Sequence, residues 1–375
     1  MRRLVIIPVL ILALPIGIAI TGFHHLLLRD LSNQQMHIDI DCVRLTSTLG
    51  SRDKVSETDS YLFGNVDIAY VPPGRLYLLD HVYNCVRVLS AATGKELFQF
   101  GRKGNGPGEF NTVNRIRYEE GKGLLVRDPV LKRITIFNEN GTFKRTITTR
   151  NMIDDAVLVN DSSFVASCFL LNRGFKPLRV ISLSTGMELT QFGTIEEPRE
   201  GLISQIERIH GHLVNDSFAG GSMTRIVLDA THRHVFMVQS NPYKLTRYRI
   251  NDGEGTTLSV PVPFSTEANF TIEMIKEGQG IRKTYGPSGH ALAPIVRDNE
   301  LIVPIFSKEG DVNYLDVYQP DGKLIHRLAL PALPKKSIAI AASFNGIREM
   351  FLLVSDFRDL NWIEKYTIDL HKVQR

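Results

Sequence analysis

An all-β fold of repeated antiparallel sheets is what this sequence predicts, and three observations predict it. Leu76-Tyr-Leu-Leu-Asp80 and Cys85-Val-Arg-Val-Leu89 recur 48 residues later as Leu124-Leu-Val-Arg-Asp128 and Arg133-Ile-Thr-Ile-Phe137, and the turn at Gly94 recurs 47 residues later at Gly141. Short apolar-rich runs separated by glycine turns are the pattern of an antiparallel meander. Thr93-Gly-Lys-Glu-Leu-Phe-Gln-Phe-Gly101 is nearly repeated 92 residues on by Thr185-Gly-Met-Glu-Leu-Thr-Gln-Phe-Gly193, a spacing of two such units. Between the first two copies stands the glycine-rich run Phe100-Gly-Arg-Lys-Gly-Asn-Gly-Pro-Gly-Glu-Phe110, the joint from one unit to the next. A period of this size marks propeller blades, and the chain holds six of them.

Gly101 to Phe110, with Leu125-Val-Arg-Asp128 and Arg133-Ile-Thr-Ile-Phe137, resembles an NHL repeat, and more closely the NHL- and TolB-like six-bladed propellers of Bacteroidetes. The resemblance is specific from Leu76 to Phe143 and thins to periodicity elsewhere. It implies an exported β-propeller from a bacterium and no established activity. Some six-bladed propellers are calcium-dependent lactonases or metal-dependent lyases, but their metal ligands cannot be placed residue by residue on this chain and are not carried over.

Taken in order, Met1-Arg-Arg followed by the uncharged run Leu4 to Phe23 has the layout of an export signal, and is also long enough to anchor in a bilayer. Residues 1–23 are therefore read as signal peptide or signal anchor, and 24–36 as a stalk. With Arg2 and Arg3 ahead of the apolar run, the propeller is expected outside the cytoplasm, in the periplasm or cell envelope. Residues 37–375 form the propeller. A strand over 37–46, preceding any repeat, is expected to pair with the strand around Trp362 to Ile368, because a ring must join its first and last sheets.

Blade one spans 64–100, with Val66-Asp-Ile-Ala-Tyr-Val71 innermost, and blade two spans 113–148. The third uses Ser163 to Ser167, Leu178 to Leu183 and Thr185 to Gly193. The fourth, over 206–260, uses Thr224 to Asp229, His234 to Gln239 and Leu245 to Ile250. Residues 265–290 break the pattern. Glu267, Glu273, Met274, Ile275, Lys276 and Glu277 stand in a helix-compatible order, so a short helix or long loop is expected as an insertion. Blade five resumes at Glu300 with an Asp-Gly turn at Pro320-Asp-Gly322, and blade six runs from Ser337 to Leu370.

Composition agrees. Hydrophobic residues at 43% supply a core, while 29 glycines and 17 prolines suit strands and turns. The net charge of +4 arises from 44 basic and 40 acidic residues with no basic run longer than two, so no nucleic-acid partner is expected. Three scattered cysteines, Cys42, Cys85 and Cys168, give neither a disulfide framework nor a zinc motif.

Little chemistry is legible. The glycine run lacks a following helix and a Gly-Lys-Ser/Thr, and Pro107 removes a backbone N–H, so it reads as a crossover locked by Glu109 and Phe110. His210 with His212, and His232 with His234, are candidate imidazole pairs, but only Asp216 and Asp229 lie near them, and no metal or other cofactor is expected. No Gly-x-Ser-x-Gly or catalytic cysteine signature occurs, and no catalytic residue is assigned.

One face stands out. In a four-stranded blade the loops after the second and fourth strands emerge together, gathering Asp80, His81, Tyr83, Asn84, Arg102, Lys103, Asn105, Arg127 and Asp128 as a candidate binding surface. Asp80 and Asp128 have a second reading, as caps accepting backbone N–H bonds of their own loops. The function expected is a non-catalytic envelope propeller recognising a protein, peptide or glycan, the membrane being a further partner if the N-terminal segment is retained. The alternative is a metal-dependent lyase or lactonase with its site in the central channel.

Overall fold

The computed structural model describes residues 38–39, 42–49, 65–168, 176–195, 224–240, 243–258, 262, 269–274, 281–286, 290–297, 299–307, 312–335, 337–356 and 361–370. The elements among them are all strands. After β1 (Ile38–Asp39) and β2 (Val43–Leu49), blade one comprises β3 (Asn65–Val71), β4 (Arg75–Asp80), β5 (Cys85–Ser90) and β6 (Glu96–Phe100). Blade two comprises β7 (Arg115–Glu119), β8 (Gly123–Asp128), β9 (Arg133–Phe137) and β10 (Phe143–Thr148). Blade three holds β11 (Ile153–Leu158), β12 (Ser163–Cys168), β13 (Leu178–Ser182) and β14 (Glu188–Phe192). Blade four holds β15 (Thr224–Leu228), β16 (His234–Gln239), β17 (Lys244–Arg249) and β18 (Gly255–Thr257). A two-stranded hairpin, β19 (Asn269–Met274) with β20 (Ile281–Gly286), precedes blade five: β21 (His290–Ala291), β22 (Ile295–Arg297), β23 (Glu300–Phe306), β24 (Asn313–Tyr318) and β25 (Leu324–Leu330). Blade six is β26 (Ser337–Asn345), β27 (Glu349–Asp356) and β28 (Asn361–Ile368), completed by β2.

The fold is thus an all-β, six-bladed propeller of antiparallel blades, and its ring closes through the N-terminal strand. The β2–β28 ladder runs from Val43 opposite Ile368 to Leu49 opposite Ile363. The closing strand lies further along the chain than the expected 37–46, since Ile38–Asp39 adds to the edge of the fifth sheet beside β25. The helix or loop expected over 265–290 is corrected to the β19–β20 hairpin. Its two runs, Asn-Phe-Thr-Ile-Glu-Met and Ile-Arg-Lys-Thr-Tyr-Gly, are rich in aromatic and β-branched residues. Those favour extended backbone, and pairing from Asn269 opposite Gly286 to Met274 opposite Ile281 satisfies it.

Strand alternation builds the core. In β4 successive side chains point to opposite faces. Leu76 and Leu78 enter the layer shared with blade six, whereas Tyr77 and Leu79 enter the layer shared with blade two. Both faces are buried, which is why the middle strands read as continuous apolar runs. Four further layers occupy the remaining junctions around the ring. At the joint after blade one, Gly101 has φ +79°, and a Cβ there would stand 2.4 Å from the Phe110 ring. Only glycine fits that close approach.

Candidate functional site

On the loop face, Asp80 and Asp128 are completely buried. Asp80 Oδ1 accepts the N–H groups of Val82 (3.0 Å) and Tyr83 (2.9 Å), and its Oδ2 lies 3.4 Å from Arg87 Nε. Burial pushes the Asp80 carboxyl above its ordinary value, outweighing the pull of those N–H groups and of Arg87. Asp128 Oδ1 accepts the Leu131 N–H (3.0 Å), and Oδ2 accepts those of Asn111 (2.6 Å) and Thr112 (3.3 Å). Both aspartates therefore cap their own loops, and Asp128 also ties down the joint from blade one. Asn84 and Lys132, at matching repeat positions, both take left-handed backbone, at φ +53° and +49°.

The tips between these fixed points face solvent. Val82 is 47% exposed, Tyr83 61% and, at the repeat equivalent of Val82, Val130 56%. His81, Arg102, Lys103 and Asn105 are also on the surface, whereas Asn84 and Arg127 are buried. Arg127 turns inward from blade two: its Nε donates to Asn114 Oδ1 (2.5 Å), and its Nη1 donates to the Ile153 carbonyl and lies 3.4 Å from Asp154.

The glycine loop closes on itself. Glu109 accepts the Gly106 N–H (2.9 Å) and pairs with Arg102 (2.7 Å), which holds its carboxyl below the ordinary range. Gly104 N–H donates to the Phe110 carbonyl (2.9 Å) and Phe110 N–H to that of Arg102 (2.8 Å). With these donors committed internally, the loop does not offer the nest of N–H groups a phosphate needs. Arg133 bonds the Asn105 carbonyl (2.9 Å), joining the glycine loop to the blade-two loop.

A second polar region lines the channel, and sequence reasoning missed it. Asp67 on β3 accepts the Ile116 N–H of β7 (3.0 Å), and Asp155 on β11 accepts the Ile226 N–H of β15 (3.0 Å). Asp154 accepts the Thr224 N–H (2.8 Å). Inner strands β7 and β15 are edge strands with unpaired donors, and carboxylates from the preceding blade satisfy one of them in β7 and two in β15. Arg117 pairs with Asp155 (2.7 Å) and donates to the Ile226 carbonyl (2.7 Å). Burial lowers the Arg127 and Arg225 guanidinium groups to about 10. Burial also raises Asp67; it would raise Asp154 too, but Arg127, Arg115 and Arg225 together hold that carboxyl below its ordinary value. The signal was present in sequence: acidic residues inside otherwise apolar inner runs, and Arg115-Ile-Arg117 alternating toward one face.

A cavity of about 430 Å3 opens where the inner strands of blades two to five end, lined among others by Arg117, Glu119, Val157, Val227, His232 and Arg297. Burial raises the Glu119 carboxyl. The two histidines of the 232–234 pair serve separate partners, His232 Nδ1 the Val159 carbonyl (2.8 Å) and His234 Nδ1 Asp229 (3.0 Å). His210 and His212 lie outside the described residues. Among the described residues no group of three His, Cys, Asp or Glu side chains is placed to hold a metal ion.

No known family profile matches the chain, and no curated protein matches it by sequence. Solved structures do match. A DUF4221-family member from Bacteroides vulgatus superposes with a TM-score of 0.55 at 11% identity, covering 88% of this chain and 99% of its own. A protein of Bacteroides fragilis, named as a candidate exported protein, gives 0.52 at 14% identity over 89% and 98%. At such identities the likeness is one of fold.

Proposed function

We propose that this protein is a non-catalytic binding propeller whose loop face engages a protein, peptide or glycan partner. The observation that carries the reading is the contrast within equivalent loops of blades one and two. Fully buried Asp80 and Asp128 fix the loop backbones, and the tips they hold leave Val82, Tyr83 and Val130 exposed. A rigid scaffold presenting apolar and aromatic side chains at low ordering cost suits recognition. Exposed side chains of this kind add nothing to the core.

The protein is proposed to act outside the cytoplasm, as an exported, NHL-like member of the Bacteroidetes propellers. The apolar run Leu4 to Phe23 supports this, and so does the fold likeness to a Bacteroides protein named as a candidate exported one. No helix among the described residues is long and apolar enough to cross a membrane, and Leu4 to Phe23 lies outside them.

The test is the double variant Tyr83→Ala with Val130→Asp, assayed for capture of a specific partner from envelope extract beside Met187→Asp, a control on the exposed outer edge of blade three. Arg102 is left intact because it braces Glu109. Capture is expected to be lost in the double variant and kept in the control, with both melting as the wild type does. Equal capture by all three proteins would remove the loop face from the account.

A further inference from the structure

The cavity at the inner-strand ends is separate from the loop-face residues. Its volume of about 430 Å3 falls within the range of small-molecule sites, about 300 to 1,000 Å3. More of its lining is polar than apolar, and the apolar share comes from Val157 of β11, Val227 and Leu228 of β15, and Ile295 and Val296 of β22.

Most of its polar groups are already used. Arg117 is held by Asp155 and the Ile226 carbonyl, each at 2.7 Å. Asp229 accepts from Thr231 (2.7 Å), from the Arg233 and His234 N–H groups (3.0 Å each) and faces the His234 ring. His232 Nδ1 is bonded to the Val159 carbonyl (2.8 Å). Glu119, which ends the channel-facing series Arg115, Arg117, Glu119 on β7, is different: among the described residues its carboxylate has no hydrogen-bond or ion-pair partner. Burial raises that carboxyl more than Arg117 and the weaker fields of His232 and Lys122 lower it, and Asp155 adds to the rise. A half-buried carboxylate without a partner carries a desolvation cost that a cation in the cavity would offset.

We propose that this cavity binds an organic cation, a primary ammonium on an apolar body, with Glu119 as its counter-ion. The ammonium takes the carboxylate oxygens, and the apolar body lies against Val157, Val227 and Ile295. Arg297, exposed at the rim, disfavours a second positive charge on the ligand.

Isothermal titration of the full chain with phenethylamine tests the proposal, with 3-phenylpropionate as the carboxylate of matched shape and an N-acetylated, lysine-containing tripeptide as the peptide-borne amine. Saturable binding of phenethylamine, none of phenylpropionate, and at least a tenfold loss in Glu119→Gln are expected. Glu119→Gln is further expected to melt no lower than the wild type, since it removes a half-buried charge that has no partner among the described residues. Tighter binding of the tripeptide than of phenethylamine would assign the site to peptide amines, and the reverse to free amines; either supports the cation site. Absence of phenethylamine binding to the wild type, equal binding by Glu119→Gln, or preference for phenylpropionate would overturn it.

Discussion

Two sets of buried aspartates in this molecule accept the same kind of bond and do different work. Asp80 takes N–H groups two and three residues away, and Asp128 takes one three residues on and two from the adjoining blade joint, 16 and 17 residues back, so their effect stays within the loops and fixes loop shape. Asp67 and Asp155 reach N–H groups 49 and 71 residues distant, so theirs is to join one blade to the next. One set shapes a surface. The other holds a ring together. The difference lies in where each residue sits on its strand: the end of a second strand faces its own turn, whereas the interior of a first strand faces the open edge of a neighbour.

The largest expected effect follows from breaking the inter-blade set. Asp155→Ala leaves the largely buried Arg117 beside the Ile226 carbonyl without its carboxylate, and removal of one partner of a buried pair costs about 3–5 kcal/mol. Thermal or denaturant unfolding should show a loss of this size, and a loss under about 1 kcal/mol would mean that the pair is solvated and carries no inter-blade role.

Acidity divides the channel carboxylates further. Asp154 has its folded pKa held below the ordinary carboxylate value of about 4, so its contribution is present above that value and is lost as pH falls through the folded one. Asp67 is raised, so its contribution is complete below about pH 4 and is lost as pH rises through the folded value. Stability measured against pH should therefore fall less steeply on acidification in Asp154→Asn than in the wild type. In Asp67→Asn the loss seen on raising pH from 4 should shrink. Parallel profiles for the two variants would contradict the opposite signs.

Next in size is the loop set. Asp80→Ala removes the acceptor for two backbone donors but leaves them near solvent, and is expected to cost about 1–2 kcal/mol, in the manner of a lost cap. Smallest is the tip itself. Val130→Asp alters an exposed side chain and should change stability by no more than about 0.5 kcal/mol. A larger loss would place Val130 in the structural set.

Much of the fold was legible because its determinants are local and repeated. Leu76 to Asp80 and Leu124 to Asp128 announce the same buried second strand, and the Thr-Gly turns at 94 and 186 announce the same third-to-fourth connection. The β19–β20 hairpin was not, because Glu273 to Glu277 gives a short helix-compatible order that competes with the alternation of Phe270 and Ile272. Of the candidate site, the exposed tips follow from strand topology, while the inward turn of Arg127 does not. Its destination, the Ile153 carbonyl, belongs to the next blade, and a repeat seen alone does not contain its neighbour. The channel aspartates escaped for the same reason, since their partners are 49 to 71 residues away.

The most direct test of the distinction between the two sets is a crossed comparison of Asp155→Asn with the double variant Asp80→Ala and Asp128→Ala, each measured for unfolding midpoint and for capture of the loop-face partner well below that midpoint. The expected result is a dissociation: Asp155→Asn lowers the midpoint and still captures at the wild-type level, whereas the double variant loses capture by a larger factor than its own fall in stability explains. Capture that simply tracks the midpoint across both proteins would contradict it.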